Sequence, residues 1–424
     1  MRFYGVLCCV LIMATAIMAQ EKPVKTPAKS KLDSLSQELS RLKEKVRKLE
    51  EAKEAQELEN LRKAALQSST EKTKEKGLKT KTFRQGATSL QKLNPELSIV
   101  GDVVANYKTD APHYTEGSRS GFNLRVFDIN FQSNLDPFSR AKATVTLGEN
   151  GFELEEGYVI WTNLLPKINV TVGKFRQQFG VVNRWHEHAL DQIFYPLAIQ
   201  TFMGDEGLIE TGASFDWLMP RLTASANELT VQITNSSNPE LFSGDNFSVP
   251  STLFHFKNYY DLSQNAYLEL GMTGMIGTND SLGFTFSKRH RWTHMAGVDL
   301  TYSWSPVNQA LYKGFLWRSE LFYLNKDRPT GGPVKAWGGY SYMEYQPSEQ
   351  YKIGTRVDVV QPVRIDNSGR YQWQVVPYIT YRQSEFVYLR LEWSHLESHG
   401  FAGNDNRLLL QVDWSLGPHK HDKY

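Results

Sequence analysis

Residues 407–416, Arg-Leu-Leu-Leu-Gln-Val-Asp-Trp-Ser-Leu, alternate in character. Leu408, Leu410, Val412, Trp414 and Leu416 share one face of an extended chain, and Arg407, Gln411, Asp413 and Ser415 share the other; only Leu409 breaks the pattern. A period of two describes a strand with one apolar and one wet face. About ten such residues cross a bilayer when the strand is tilted. The pattern recurs from Leu97 onward, as in Ala141-Ala143-Val145-Leu147 against Lys142 and Thr144, and Val387-Leu389-Leu391-Trp393 against Tyr388, Arg390 and Glu392.

Turn signals punctuate these runs at Asp136-Pro137, Leu165-Pro166, Met219-Pro220, Leu262-Ser263, Ser305-Pro306, Gln346-Pro347 and Gln383-Ser384. Longer polar connections lie between the resulting hairpins. Seven short turns separate eight hairpins, so the pattern predicts an all-β transmembrane barrel of about 16 antiparallel strands over residues 95–424. Alternating short and long connections suit an outer-membrane barrel, with the short turns in the periplasm; a soluble sandwich has no reason for that asymmetry. Tyr107, Trp161, Trp217, Tyr302, Trp304 and Tyr345 fall near strand ends, as an aromatic girdle requires.

The first 95 residues read differently. Met1-Arg2 and the apolar run Phe3–Ala19 predict a signal peptide over residues 1–19. Both cysteines, Cys8 and Cys9, lie within it, so the mature chain has no thiol chemistry. Residues 20–67 begin with a Lys- and Pro-rich stretch and continue as a helix. There Leu32, Leu35, Leu39, Leu42, Val46 and Leu49 recur at gaps of three and four, the seam of a short coiled coil. Residues 68–94 are rich in Thr, Lys, Ser and Gly and read as a linker. The barrel's first strand starts in the periplasm, which places this helical arm there too.

Charge narrows the function classes. Formal net charge is +2, which offers no case for nucleic acid. No GxSxG and no phosphate-cradling Gly loop with Lys occurs, and nothing arranges Ser, His and Asp as a catalytic set. The chain is therefore read as a non-enzyme without cofactor.

The connection between the strands Ile168–Phe175 and Gly212–Trp217 is the richest in polar groups. A loop of this length needs a reason; in a wide barrel it folds inward and narrows the pore. Residues 176–210 are the expected constriction. Arg176, Asn183, Arg184, His186, Glu187 and His188 are its candidate pore residues, together with Asp205 and Glu206. Charges in a narrow low-dielectric passage bias which solutes pass. His186 and His188 form an HxH pair, read here as part of a loop hydrogen-bond network and not as a metal site, because no further ligand motif accompanies them. Strand parity places Asp102, Lys142, Glu153 and Glu155 on the lumen wall, with Arg390, Glu392, Arg407 and Asp413. The signs are mixed, and no ladder of Arg or Lys selects anion or cation.

Several segments carry a family resemblance: Phe122-Asn123-Leu124-Arg125, Glu155-Glu156-Gly157-Tyr158, Gly173-Lys174-Phe175-Arg176 with Phe179-Gly180, Asn183-Arg184, and Gly204-Asp205-Glu206-Gly207-Leu208. Through them residues 90–424 resemble the outer-membrane porin superfamily, and within it proteins like the phosphate-selective porins O and P. The resemblance implies a passive channel for small hydrophilic solutes or ions, a homotrimer embedded in outer-membrane lipid, and often an N-terminal helical arm; it does not imply phosphate. The alternatives are a non-conducting binding or tethering protein, or a metal-linked receptor. An energy-coupled receptor needs a plug domain and about 22 strands, and the region before Leu97 reads as helix and linker.

Overall fold

The computed structural model describes Lys45 and residues 96–109, 120–148, 151–222, 224–242, 249–279, 291–328, 332–400 and 403–417. The expected signal peptide, the linker and, apart from Lys45, the expected coiled-coil arm lie outside the described residues. His290, His419 and His421 also lie outside them.

Sixteen strands are present among the described residues. The first eight are β1 (Glu96–Lys108), β2 (Gly121–Asn134), β3 (Ser139–Gly148), β4 (Gly151–Leu165), β5 (Ile168–Arg176), β6 (Ile209–Met219), β7 (Ala226–Thr234) and β8 (Ser251–Ser263). The rest are β9 (Ala266–Thr278), β10 (Trp292–Trp304), β11 (Gly314–Lys326), β12 (Val334–Gln346), β13 (Tyr351–Val360), β14 (Tyr371–Arg382), β15 (Val387–His399) and β16 (Asp405–Leu416). Each pairs antiparallel with its sequence neighbours, and β1 closes on β16 from Ile99↔Leu416 to Lys108↔Arg407. Closure leaves no edge strand, so each strand has a ladder partner on both sides.

All seven turn signals fall at one end of the cylinder, between β2 and β3, β4 and β5, and so on to β14 and β15. The opposite end carries most of the longer connections, although residues 400–404 between β15 and β16 are fewer than residues 305–313 at the short-turn end. Only residues 149 and 150 join β3 to β4, where the sequence alone suggested a longer loop.

The strands are outward-apolar. Met272, Val298, Leu321 and Leu391 are exposed near the middle of their strands, and Leu124 and Ile353 are exposed nearer the ends. Trp217, Tyr345 and Tyr351 are exposed near the short-turn end, and Tyr107, Tyr323 and Trp337 near the other. An apolar belt between aromatic rings is what a bilayer-facing barrel presents.

The interior differs from a simple wet lumen. The connection 177–208, here L3, runs inward between β5 and β6 and carries a short helix, α1 (Leu197–Met203). Its Phe179, Trp185, Leu190, Ile199, Phe202 and Met203 pack into a buried apolar cluster with Leu253, Met275, Met295, Phe322, Leu324 and Val360 of the β8–β13 wall. These inward apolar residues interrupt the polar parity of that wall. Leu409, the one exception in the β16 alternation, faces inward and packs with Val104 and Ile193, and Phe194 lies against them. The one irregularity of the β16 alternation is thus an anchor for L3 on the far wall.

Polar groups fix the same loop around the wall. Glu320 Oε1 accepts the backbone N–H groups of Val181 and Val182, each at 3.0 Å. Glycine is required one residue earlier: Gly180 has φ +63°, and a Cβ there would lie 1.9 Å from Glu320 Oε2. Glu392 Oε1 accepts from Ile193 N at 2.8 Å, and Arg356 Nη1 donates to Phe194 O at 2.8 Å. Tyr388 donates to His188 O at 2.8 Å.

Candidate functional site

Two bulges build the site. Opposite β3, the register of β4 shifts so that Thr144 pairs with Glu156 and Val145 with Leu154, leaving Glu155 as the extra residue. Successive strand residues normally face opposite ways. The bulge instead lets Glu155 and Glu156 both reach the lumen. On β2, Asp102 pairs with Val126 and Val103 with Leu124, so Arg125 is likewise the extra residue.

His186 fills the space these bulges create. Its Nδ1 lies 3.0 Å from Glu155 Oε2 and its Nε2 lies 2.9 Å from Glu156 Oε2. Arg176 makes a charge-assisted bond to Glu155 through Nη2 and donates to Glu206 O at 2.7 Å through Nη1. Lys142 Nζ stands 3.5 Å from Glu156. Burial by itself would lower the His186 pKa, but the carboxylates of Glu155 and Glu156 outweigh it and hold the imidazole up at about 9. His186 is accordingly an imidazolium at neutral pH, donating from both nitrogens. The ring of His188 stacks on it with centroids 5.5 Å apart, and His188 Nδ1 lies 3.2 Å from Asp128 Oδ2. The HxH pair sits in a loop with short 3₁₀ turns, and no strand face carries it.

A second ion-pair group adjoins the first. Arg125 bonds Asp102 through Nε at 3.0 Å, also bonds Ile193 O, and stands 3.7 Å from Glu187 Oε2. Gln411 Nε2 donates to the same Asp102 oxygen at 2.9 Å. Arg318 lies 4.4 Å over the Trp185 ring and 3.7 Å from Asp191.

The structure brings Arg176, His186, Glu187, His188, Glu155 and Lys142 together. It corrects Asn183, expected to line the pore. Asn183 is fully buried, donates to Gln177 O at 2.9 Å and Leu208 O at 3.2 Å, and accepts from Leu208 N at 2.7 Å. It staples the two ends of L3. Asp205 is exposed and apart from the cluster. Arg390, Glu392 and Asp413 face inward and are buried, while Arg407 pairs with Asp405 near the long-loop end. Glu156, Asp128 and Arg125 escaped sequence reasoning. Parity alone put Glu156 on the outside, and a bulge leaves no mark in an alternation pattern.

Two cavities flank the cluster. The one toward the long-loop end has a volume of about 130 Å³. Its carboxylates are Asp128, Glu153, Glu155, Glu187 and Glu206, and its cations are Arg125, Lys174 and Arg176. The one toward the short-turn end has a volume of about 420 Å³. Its cations are Arg140, Lys142, Arg176, Arg184 and Lys257, against Glu156, Asp216 and Glu228. Arg176 lines both, and Glu155 and Glu156 line one each.

Asp128, Glu155 and His186 present ligand atoms within 4.8 Å of one another, close enough for a divalent cation. The donors are already engaged: Arg176 holds Glu155, and both His186 nitrogens face carboxylates. As it stands, the arrangement is an internal ion-pair network.

No family model matches the sequence. An uncharacterised protein of Aquifex aeolicus (strain VF5) is 25% identical over 343 residues, covering 72% of this chain and 71% of that one. Among solved structures, the anion-selective porin from Comamonas acidovorans superposes with a TM-score of 0.53 at 10% identity, over 76% of this chain and 99% of the porin. The trimer form of in-vitro folded OmpT, an outer-membrane protein of Vibrio cholerae, gives 0.50 at 7% identity over 76% and 99%. At these identities the likeness speaks to architecture alone, and by architecture this chain is a closed sixteen-stranded barrel of the kind outer-membrane porins share.

Proposed function

We propose that this protein is an outer-membrane channel for passive diffusion of small hydrophilic solutes or ions. In this reading L3 is the constriction, and the conduit runs along the β2–β8 wall through the Glu155–Glu156–Arg176–His186 cluster. The observation that carries it is the pair of polar cavities on either side of that cluster, in an interior that L3 otherwise fills with apolar side chains. The apolar outer belt and the sequence resemblance to porins support an outer-membrane location, with the short turns in the periplasm. The same reading takes the protein as a homotrimer with residues 20–67 as a periplasmic coiled-coil arm, and assigns no enzymatic activity and no cofactor.

Planar-bilayer conductance tests it. Folded protein is expected to give discrete, ohmic single-channel steps at 1 M salt; a persistently silent bilayer would refute the channel.

A second reading has its own support. The apolar packing of L3 against β8–β13, with Leu409 and Val104 opposite, resembles a plug more than a rim. A barrel closed this way would serve as an anchor, and the arm would do the binding. Deleting residues 20–94 separates the two: the channel keeps its conductance, whereas the tether loses its cellular role.

A further inference from the structure

The two cavities carry charge of opposite sign along the barrel axis. Five carboxylates face three cations on the long-loop side. Five cations face three carboxylates on the short-turn side. Immediate neighbours do not reverse either sign. Asp102 behind Arg125 makes the long-loop side more acidic. Glu269, 3.5 Å from Lys257, brings the short-turn side to five cations against four carboxylates, one of the five being Arg176, which lines both cavities. The junction is the His186 clamp, where Glu155 faces one cavity and Glu156 the other.

We infer that the protein is a rectifying channel, passing more current when the long-loop end is held positive. The inference rests on the channel reading above. An acidic stretch admits cations and a basic stretch admits anions, because low-dielectric walls focus each field. With the long-loop end positive, cations enter through the acidic cavity while anions enter through the basic one. Both accumulate at the clamp and conductance rises. With the polarity reversed, each cavity faces the ion it excludes, and the clamp region is depleted of carriers. The effect requires fields that reach across the passage. The Debye length is about 10 Å at 0.1 M salt and about 3 Å at 1 M, so rectification belongs to low salt.

The experiment is a single-channel current–voltage curve of the full-length protein in KCl. At 0.1 M the currents at equal and opposite voltages are expected to differ by about twofold or more, and to become nearly equal at 1 M. The double variant E153K/E206K makes the long-loop side basic at two exposed positions outside the clamp. It is expected to abolish the asymmetry and leave an anion-preferring pore. A linear curve at 0.1 M with measurable current overturns the inference and leaves the channel intact. Asymmetry that survives in E153K/E206K overturns it as well, because pore shape would then be the cause. Absence of any current from folded protein removes the channel itself.

Discussion

The Nε2 of His186 lies 2.9 Å from Oε2 of Glu156, a contact between a loop residue and a strand residue 30 positions earlier in the chain. It depends on the bulge at Glu155, which frees Glu156 to face the lumen beside its neighbour. In the channel reading this contact sets the charge at the narrowest point. Replacing His186 by Gln removes one cation there and is expected to move selectivity toward cations by about twofold in permeability ratio. Glu156→Gln is expected to move it the other way. Reversal potentials across a KCl gradient report both, and identical values in wild type and variants would remove the clamp from the pathway.

The clamp also makes loop anchoring depend on pH. The folded His186 pKa, about 9, lies above its unfolded value near 6.5. Its contribution is therefore complete below about pH 6.5 and is lost as pH rises through about 9. Fluorescence of the buried Trp185 in L3 is expected to change on that alkaline side. His186→Gln is expected to flatten the transition; a wild-type signal constant from pH 7 to 10 would contradict it.

Leu409 holds L3 from the β16 side by packing against Ile193. Leu409→Ala is expected to cost the loop about 2–3 kcal/mol of anchoring while the barrel itself stays closed. Larger or noisier single-channel currents, with an unchanged heat-dependent gel shift, are the expected result. Unaltered currents would mean that the loop does not need this contact.

Gly180 allows the L3 backbone to rest on Glu320. A side chain there meets a positive φ and the Glu320 carboxylate together. Gly180→Val is expected to strain the turn by about 1–3 kcal/mol and to expose L3 to trypsin, with cleavage after Arg184 as the sensitive reading. Equal cleavage rates in variant and wild type would count against this anchor.

How much was legible follows from the range over which each signal acts. Period-two alternation, Pro- and Ser-marked turns and the unusual length of the connection between β5 and β6 are local properties of the chain. They specify about sixteen strands, the shared end of the short turns and the one connection far longer than the others. The direction a side chain takes after a bulge is not local, because the extra residue is defined by the partner strand. Glu156 and Arg125 were hidden for that reason, and Asn183 looked like a pore residue although its partners are the two ends of its own loop. Leu409 was visible only as a defect until Ile193 arrived from the opposite part of the sequence. Local pattern was therefore enough to foresee a cylinder with a greasy outside and one long inward loop. What fills the cylinder, and where charge of each sign collects, emerged from the folded chain, since both depend on contacts between residues far apart in sequence.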